Sequence, residues 1–451
     1  MMQHPSAHAQ PFSLLIGLYG DAEMAEIFSI DAMIRSWLET EAALALAQGR
    51  EGRISQDDAE AIAAACAALE IDTSRLIDES RSVGYPILPL VRQLAEQLPE
   101  GANGRAHFGA TTQDIMDTGL ALQLRAAVAL FEARLAAMGD ALALLASANA
   151  MTLQAARTHG QQAVPTTFGA KLAVFLDQTS SRLETARSLV QQVGVVSLFG
   201  AGGTSAALGP NIAETRRDVA HRLGLASTES PGHVNRDRIV AFGQFCADCS
   251  TLAIRLAREI VDLSRTEIGE VREPGGHHAG ASSTMPQKIN PVLAESTLGL
   301  GAAAVALAPA LHRAAEAGHE RSAGEWQIEW HVVPQIATLA SSALVTMTTL
   351  LVGLQVMDQH MADNLRADNS LLMAEAYMIA IAERIGRERA HDLVYDAAAE
   401  ARKSGQSLAE VLATNPALAG GDLKQIEAAD YLGEVGRVVE TSVLRWQELR
   451  R

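Results

Sequence analysis

Residues 239–271, IVAFGQFCADCSTLAIRLAREIVDLSRTEIGEV, decide the fold. Phe245, Cys249, Leu252, Leu256, Ile260 and Leu263 step by four and three. That spacing lays apolar side chains along one face of an α-helix. The stretch reads as one helix of about 30 residues, roughly 45–50 Å long. The same period runs through residues 118–150, 168–193 and 336–354. Several helices of this length predict a long bundle. Aromatics are only 4%, and abundant alanine lets helices approach closely. The expected fold class is all-α, with a helical domain over residues 1–105, the bundle over 106–355 and a second helical domain over 356–451. The last begins where an uncharged helix gives way to Asp358, Asp363, Arg366 and Asp368.

The 451 residues suit two to four domains. Hydrophobic residues at 48% and charged ones at 20% mark a globular chain. Lys+Arg number 36 against Asp+Glu 53, a net charge of −17. This argues against nucleic acid, which requires a basic patch, and against anionic membrane surfaces. A small anion can still bind a local cluster of cations. Cys66, Cys246 and Cys249 cannot form a disulfide framework and suit a reducing cytosol. The C-x-x-C at 246–249 lacks a second ligand pair, so it reads as two small buried residues and no zinc site. Met1 to Pro11 shows neither a basic nor an apolar segment of a signal peptide. The uncharged runs 332–357 and 296–311 carry hydroxyls, amides, glycine or proline, which suits burial inside a protein bundle and not a lipid span.

Chemistry is expected on the polar segments between helices. Residues 280–295, GASSTMPQKINPVLAE, follow Gly275 and Gly276. They supply Ser282, Ser283, Met285, Lys288 and Asn290, and Glu295 lies on the helix that follows. A glycine-rich loop leading into a helix start predicts an anion site with free backbone N–H groups. Residues 157–168, RTHGQQAVPTTF, place His159 among Thr158, Gln161 and Gln162, with Pro165 expected to fix the turn. Residues 107–118, HFGATTQDIMDT, offer His107, Thr111, Thr112 and Gln113 ahead of a long helix, where Asp114 and Asp117 suit helix capping. The segment 199–208, FGAGGTSAAL, does not spell a nucleotide-binding fingerprint. Asn235, Arg236 and Asp237 could clamp a carboxylate or cap the helix that follows. His319, Arg321, Trp326, Glu329 and Trp330 suit either a bundle surface or a pocket.

Together these loops resemble the fumarase/aspartase superfamily. The sharpest element is S-S-x-M-P-x-K-x-N-P, here Ser282 to Pro291, with the loops around His159 and Thr111 in matching order. The resemblance implies an all-α protomer with a central five-helix bundle. Four protomers would form a twenty-helix core, with each active site drawn from three chains. It also implies proton removal next to a carboxylate and expulsion of a neighbouring leaving group. Ser282 would be the base, and His159, oriented by Glu295, would protonate the leaving group. Lys288, Asn290, Thr111 and Thr112 would stabilise the aci-carboxylate intermediate. Ser283, Met285, Thr158, Gln161, Gln162, Gln113, His107, Arg236 and Arg321 would complete substrate binding. No metal or organic cofactor is implied.

Within the superfamily, the runs LYGDAEMAEIF from Leu18 and HERSAGEWQIEW from His319 are similar to 3-carboxy-cis,cis-muconate cycloisomerases. The RTHGQ and PTTFG elements are similar to adenylosuccinate lyases, although Ile289 stands where those commonly carry a basic residue. Bacterial cycloisomerases often lack the His–Glu pair kept here as His159 and Glu295. Ala281 and Thr112 replace a usual glycine and serine. The first expectation is therefore a cytoplasmic homotetramer that eliminates across C–N or C–O in a succinyl-type di- or tricarboxylate, releasing fumarate. The alternatives are a muconate cycloisomerase and an adenylosuccinate lyase-like enzyme. A non-enzymatic, crystallin-like role is opposed by the intact set of candidate residues.

Overall fold

The computed structural model describes residues 17–276, 278–418 and 424–451. The signal-peptide reading of Met1 to Pro11 lies outside them. In chain order the main elements are α1 (Ile30–Arg50), α2 (Thr112–Ala148), β1 (Leu153–Thr158), β2 (Gln161–Thr167), α3 (Phe168–Val193), α4 (Asp237–Leu263) and β3 (Val271–Arg272). Then come α5 (Val292–Ala314), α6 (Glu325–Val352), β4 (Gln355–Val356), α7 (Ala374–Ile385), α8 (Arg387–Ser404) and α9 (Val435–Leu449). Among the described residues the fold is all-α but for two small antiparallel pairs, β1 with β2 and β3 with β4.

The chain forms two compact units. The first holds the chain through Arg134 with Arg182–Thr251 and Gly299–Leu344. The second holds Leu135–Ser181, Leu252–Leu298 and Val345–Arg451. In the first unit, Ser29 caps α1 by accepting the Ala32 N–H at 3.1 Å. The helix buries Ile34, Trp37, Leu38 and Leu44 against Ile62, Leu90, Leu94 and Ile115. In the second unit, Tyr377 and Ile381 of α7 pack with Val394, Ala397 and Ala401 of α8. Trp446 of α9 lies on Gly139 and donates to Asp140 at 2.8 Å.

The predicted face of α4 is buried throughout, from Phe245 and Cys249 to Ile260 and Leu263. Cys246 is buried as well, and burial raises the thiols of both Cys246 and Cys249 above their ordinary range. The helix is shorter than its apolar period suggested. It ends at Leu263, whose carbonyl accepts the Glu270 N–H at 2.9 Å, and Val271 enters the β3–β4 pair. Helix α6 is longer than expected, because Pro334 lies inside it without ending it. Its start is capped by Ser322, which accepts the Trp326 N–H at 2.8 Å.

By length and composition, α4, α5 and α6 are apolar enough to cross a membrane. The hydroxyls of α6 nonetheless have protein partners. Ser341 donates to Asp21 at 2.6 Å, and Asp21 is held by Arg134. Helix α5 stands apart, with only 28% of its most apolar window buried within one chain.

Candidate active site

The loop before α2 is fixed by a fully buried carboxylate. Asp114, in the first turn of α2, accepts the Thr111 N–H at 3.1 Å. It also accepts the N–H groups of Phe199 and Gly200 at 2.8 and 2.9 Å, and lies 3.0 Å from His233 Nε2. One side chain thus ties together three loops distant in sequence. Gln113, also fully buried, donates to the His233 carbonyl at 2.9 Å and leaves its Oε1 without a partner. Arg321 reaches the same place, with one terminal nitrogen 3.3 Å from Thr111 Oγ1 and 3.2 Å from the Ala201 carbonyl, while its Nε has no partner. Thr111, Thr112, Gln113 and Arg321 are therefore brought together at the start of a long helix, where partial positive charge favours an anion.

His107 sits in the same loop with φ +58. Its Nδ1 lies 2.6 Å from buried Glu41. Burial opposes its charge, but Glu41 and, further off, Asp114 outweigh this and hold its pKa above the ordinary value.

Arg236 corrects an expectation. Its Nε donates to Glu329 at 2.7 Å, and its terminal nitrogens bond Asp117 at 2.7 and 3.2 Å, the Gly232 carbonyl at 3.0 Å and again Glu329. All five guanidinium donors are used within the chain, so none remains for a substrate. Burial works against this charge, but Asp117 and Glu329 raise its pKa above the ordinary range. Burial likewise raises the Glu329 carboxyl, with Arg236 opposing. Arg236 is a structural clamp among the starts of α2, α4 and α6.

The second loop is a β-hairpin, and Pro165 does not make its turn. Thr158 pairs with Gln161, leaving His159 and Gly160 as a two-residue loop. Both have positive φ, +52 and +75. Such a turn matches the twist of its strands, and glycine adopts that conformation without steric cost. Pro165 lies in β2 opposite Ala155, beside a register shift, where the missing N–H is tolerated. His159 is therefore held, exposed, at a hairpin tip. The base is fixed by Glu270, fully buried, which accepts from Gln154 at 2.6 Å, Arg157 at 2.5 and 3.1 Å, and Asn364 at 2.7 Å. Gln162 donates to the Asn364 carbonyl at 2.9 Å, whereas Thr158 and Gln161 are exposed.

The third loop closes on itself. Asn290 donates twice to the Gly280 carbonyl, from its backbone at 2.8 Å and its side chain at 3.0 Å, and Ala281 bridges Ile289. Gly280 has φ +66, and a Cβ there would stand 2.4 Å from the Asn290 carbonyl oxygen. Ser282 Oγ accepts the Met285 N–H at 3.2 Å. Residues 283–289 are exposed, and among the described residues Lys288 has no ion-pair partner.

The helix after this loop does not offer free N–H groups for an anion, as had been expected. Glu273 accepts those of Leu293 and Ala294 at 2.9 and 2.7 Å. Glu295, in the next position, is exposed. No hydrogen bond joins His159, Ser282, Lys288 or Glu295 to one another within the described residues of one chain. No group of three or more His, Cys, Asp or Glu among the described residues is placed to hold a metal.

Sequence reading missed the supporting carboxylates Glu41, Glu270 and Glu273 and the imidazole of His233. Their only signal is an acid placed where burial later demands a partner. The arrangement as a whole offers an exposed imidazole and a hydroxyl–lysine–amide loop in one unit, and a braced set of anion donors in the other.

Comparison with known proteins bears on the whole chain. A lyase family profile matches residues 21–306, and a profile described as the C-terminus of adenylosuccinate lyase matches residues 370–441. The chain is 38% identical over 430 residues to a 3-carboxy-cis,cis-muconate cycloisomerase from Pseudomonas aeruginosa, covering 94% of each. A crystal structure of a 3-carboxy-cis,cis-muconate lactonizing enzyme from Pseudomonas putida matches with TM-score 0.91 and 35% identity, covering 97% of this chain and 100% of that one. A crystal structure of a fumarate lyase from Mesorhizobium matches with TM-score 0.88 and 37% identity, covering 94% and 98%. The chain belongs to the fumarate lyase superfamily and is an enzyme of its lyase and cycloisomerase group.

Proposed function

We propose that this enzyme is a cofactor-independent cycloisomerase acting on a 3-carboxymuconate-type tricarboxylate. A carboxylate oxygen adds across a double bond. The electron pair moves toward the carbon beside another carboxylate, and that carbon takes a proton. The observation that carries this reading is the likeness to a 3-carboxy-cis,cis-muconate cycloisomerase over 94% of both chains. The comparisons support this alternative better than elimination to fumarate, which the sequence had put first.

The roles follow from chemistry. Ser282 moves the proton at the carbon beside the carboxylate, while Lys288, Asn290, Thr111 and Thr112 meet the charge that develops on its oxygens. Arg321, with an unpaired Nε, binds a further carboxylate. Ser283, Met285, Thr158, Gln161, Gln162, Gln113 and His107 line the rest. The enzyme works as a cytoplasmic homotetramer, and the exposed apolar face of α5 supports such packing. The three-part division at about residues 105 and 355 belongs to the same reading.

A second reading is elimination from a substituted succinate. His159 favours it: its imidazole stands exposed at a hairpin tip, placed to protonate a leaving group once Glu295 is brought to it. Absorbance assays separate the two by following carboxymuconate loss and fumarate formation from a panel of N-substituted aspartates. Carboxymuconate turnover alone supports the first reading. Fumarate alone replaces it with the second, and silence in both assays removes both.

A further inference from the structure

We propose that Glu273 is a positioning residue of the signature loop, clamping the helix turn that presents Glu295 and stapling the two ends of the loop together. This rests on the proposed roles of Ser282 and Glu295. Glu273 immediately precedes the loop, yet its carboxylate bonds the N–H groups of Leu293 and Ala294 just beyond the loop's far end. The entry is fixed as well. Val271 and Arg272 pair with Val356 and Gln355, and Pro274 packs so close to Gly353 that a Cβ there would stand 2.4 Å away.

The described residues between Glu273 and Val292 therefore hang from one point. Within them the ring from Gly280 to Asn290 is closed by its own hydrogen bonds. Gly275 and Gly276 lie between clamp and ring on one side, while only Pro291 and Val292 separate them on the other. The ring that carries Ser282 and Lys288 thus takes its position from the first turn of α5. That turn also carries Glu295, so one carboxylate fixes both the Ser282 ring and the Glu295 that the second reading pairs with His159. Ordering a loop at its ends limits the conformations it must lose at each closure.

Burial pushes the Glu273 carboxyl above its ordinary range, the two N–H groups oppose this, and the charge of Glu295 adds to it. Glu295 is the charged group facing it, since residues 353–356 beside it are Gly, Leu, Gln and Val. A carboxyl whose folded pKa is raised costs stability when ionised, at pH above that value. An ionised acceptor binds the two N–H groups about twice as strongly as a neutral one, as it would in any cap; what sets Glu273 apart is that these bonds join the two ends of the loop that carries Ser282 and Lys288.

The test compares wild type, Glu273→Ala and Glu273→Gln in melting temperature, in hydrogen exchange at the Leu293 and Ala294 amides, and in kcat and KM across pH on whichever substrate wild type turns over. Glu273→Ala is expected to lower kcat about tenfold or more with KM changed less, and to speed exchange at both amides. Glu273→Gln keeps an oxygen acceptor. It should recover most of kcat at neutral pH, move the acid limb to lower pH because the titrating group is gone, and melt no lower than wild type. Wild-type kcat and exchange in Glu273→Ala overturn the proposal. A glutamine variant that melts lower while leaving the pH profile unchanged overturns it too, since that is the behaviour of a plain cap. Exchange needs no substrate. A wild type silent in both assays therefore sinks the proposed function while the amides still decide the clamp.

Discussion

The loops around Thr111 and around Ser282 hold candidate binding groups in opposite ways. Thr111 is braced by Asp114 with its four donors and by Arg321, and the Arg236–Asp117–Glu329 cluster ties the start of the helix that follows. Ser282 stands on an exposed ring bonded mainly to itself. The difference teaches where this fold places order before substrate arrives. Donors that meet a carboxylate are fixed in advance, which suits electrostatic stabilisation without reorganisation. The group that must exclude water and move a proton sits on a part that can close.

Substitutions should separate the two regions by stability and activity. Asp114→Ala carries the largest expected effect, because it strands three backbone N–H groups and a buried imidazole. A loss of about 3–5 kcal/mol is expected, read by urea unfolding, as for other broken buried pairs. A loss below 1 kcal/mol would mean that the three loops are not held by this carboxylate. Gly280→Ala should cost roughly 1–2 kcal/mol for the left-handed backbone alone. Its close approach to Asn290 should open the ring, so turnover should fall much further than stability. Equal losses in both would show that the loop is part of the rigid frame.

A smaller effect belongs to His107. Glu41 raises its folded pKa above the unfolded value, so the pair's contribution is fully present below about pH 6.5. It is lost as pH rises through the folded value. Urea unfolding across this range should show that decline in wild type and a flatter profile in Glu41→Gln. Parallel profiles would sever the coupling. Ser282→Ala is the smallest in stability, within about 0.5 kcal/mol of wild type, because Ser282 is only half-buried and its hydroxyl accepts the Met285 N–H from within the loop, at 3.2 Å. It should nevertheless abolish turnover, and an active variant would move the base elsewhere.

The sequence by itself determined the long helices, the buried face of α4 and the signature run from Ser282 to Pro291. Helical period and turn chemistry act between residues a few positions apart, so a linear reading can find them. It misplaced Pro165 because a proline is tolerated in a strand at an edge or beside a register shift, which requires knowledge of the partner strand. It offered Arg236 to a substrate because the carboxylates that consume its donors lie at positions 117 and 329. It left the start of α5 open because Glu273, twenty residues before Leu293, bears no local mark of where its carboxylate points. Tertiary structure alone decided these, because each depends on a partner distant along the chain. A buried charge must find a partner, and folding selects that partner by proximity in space and not along the chain.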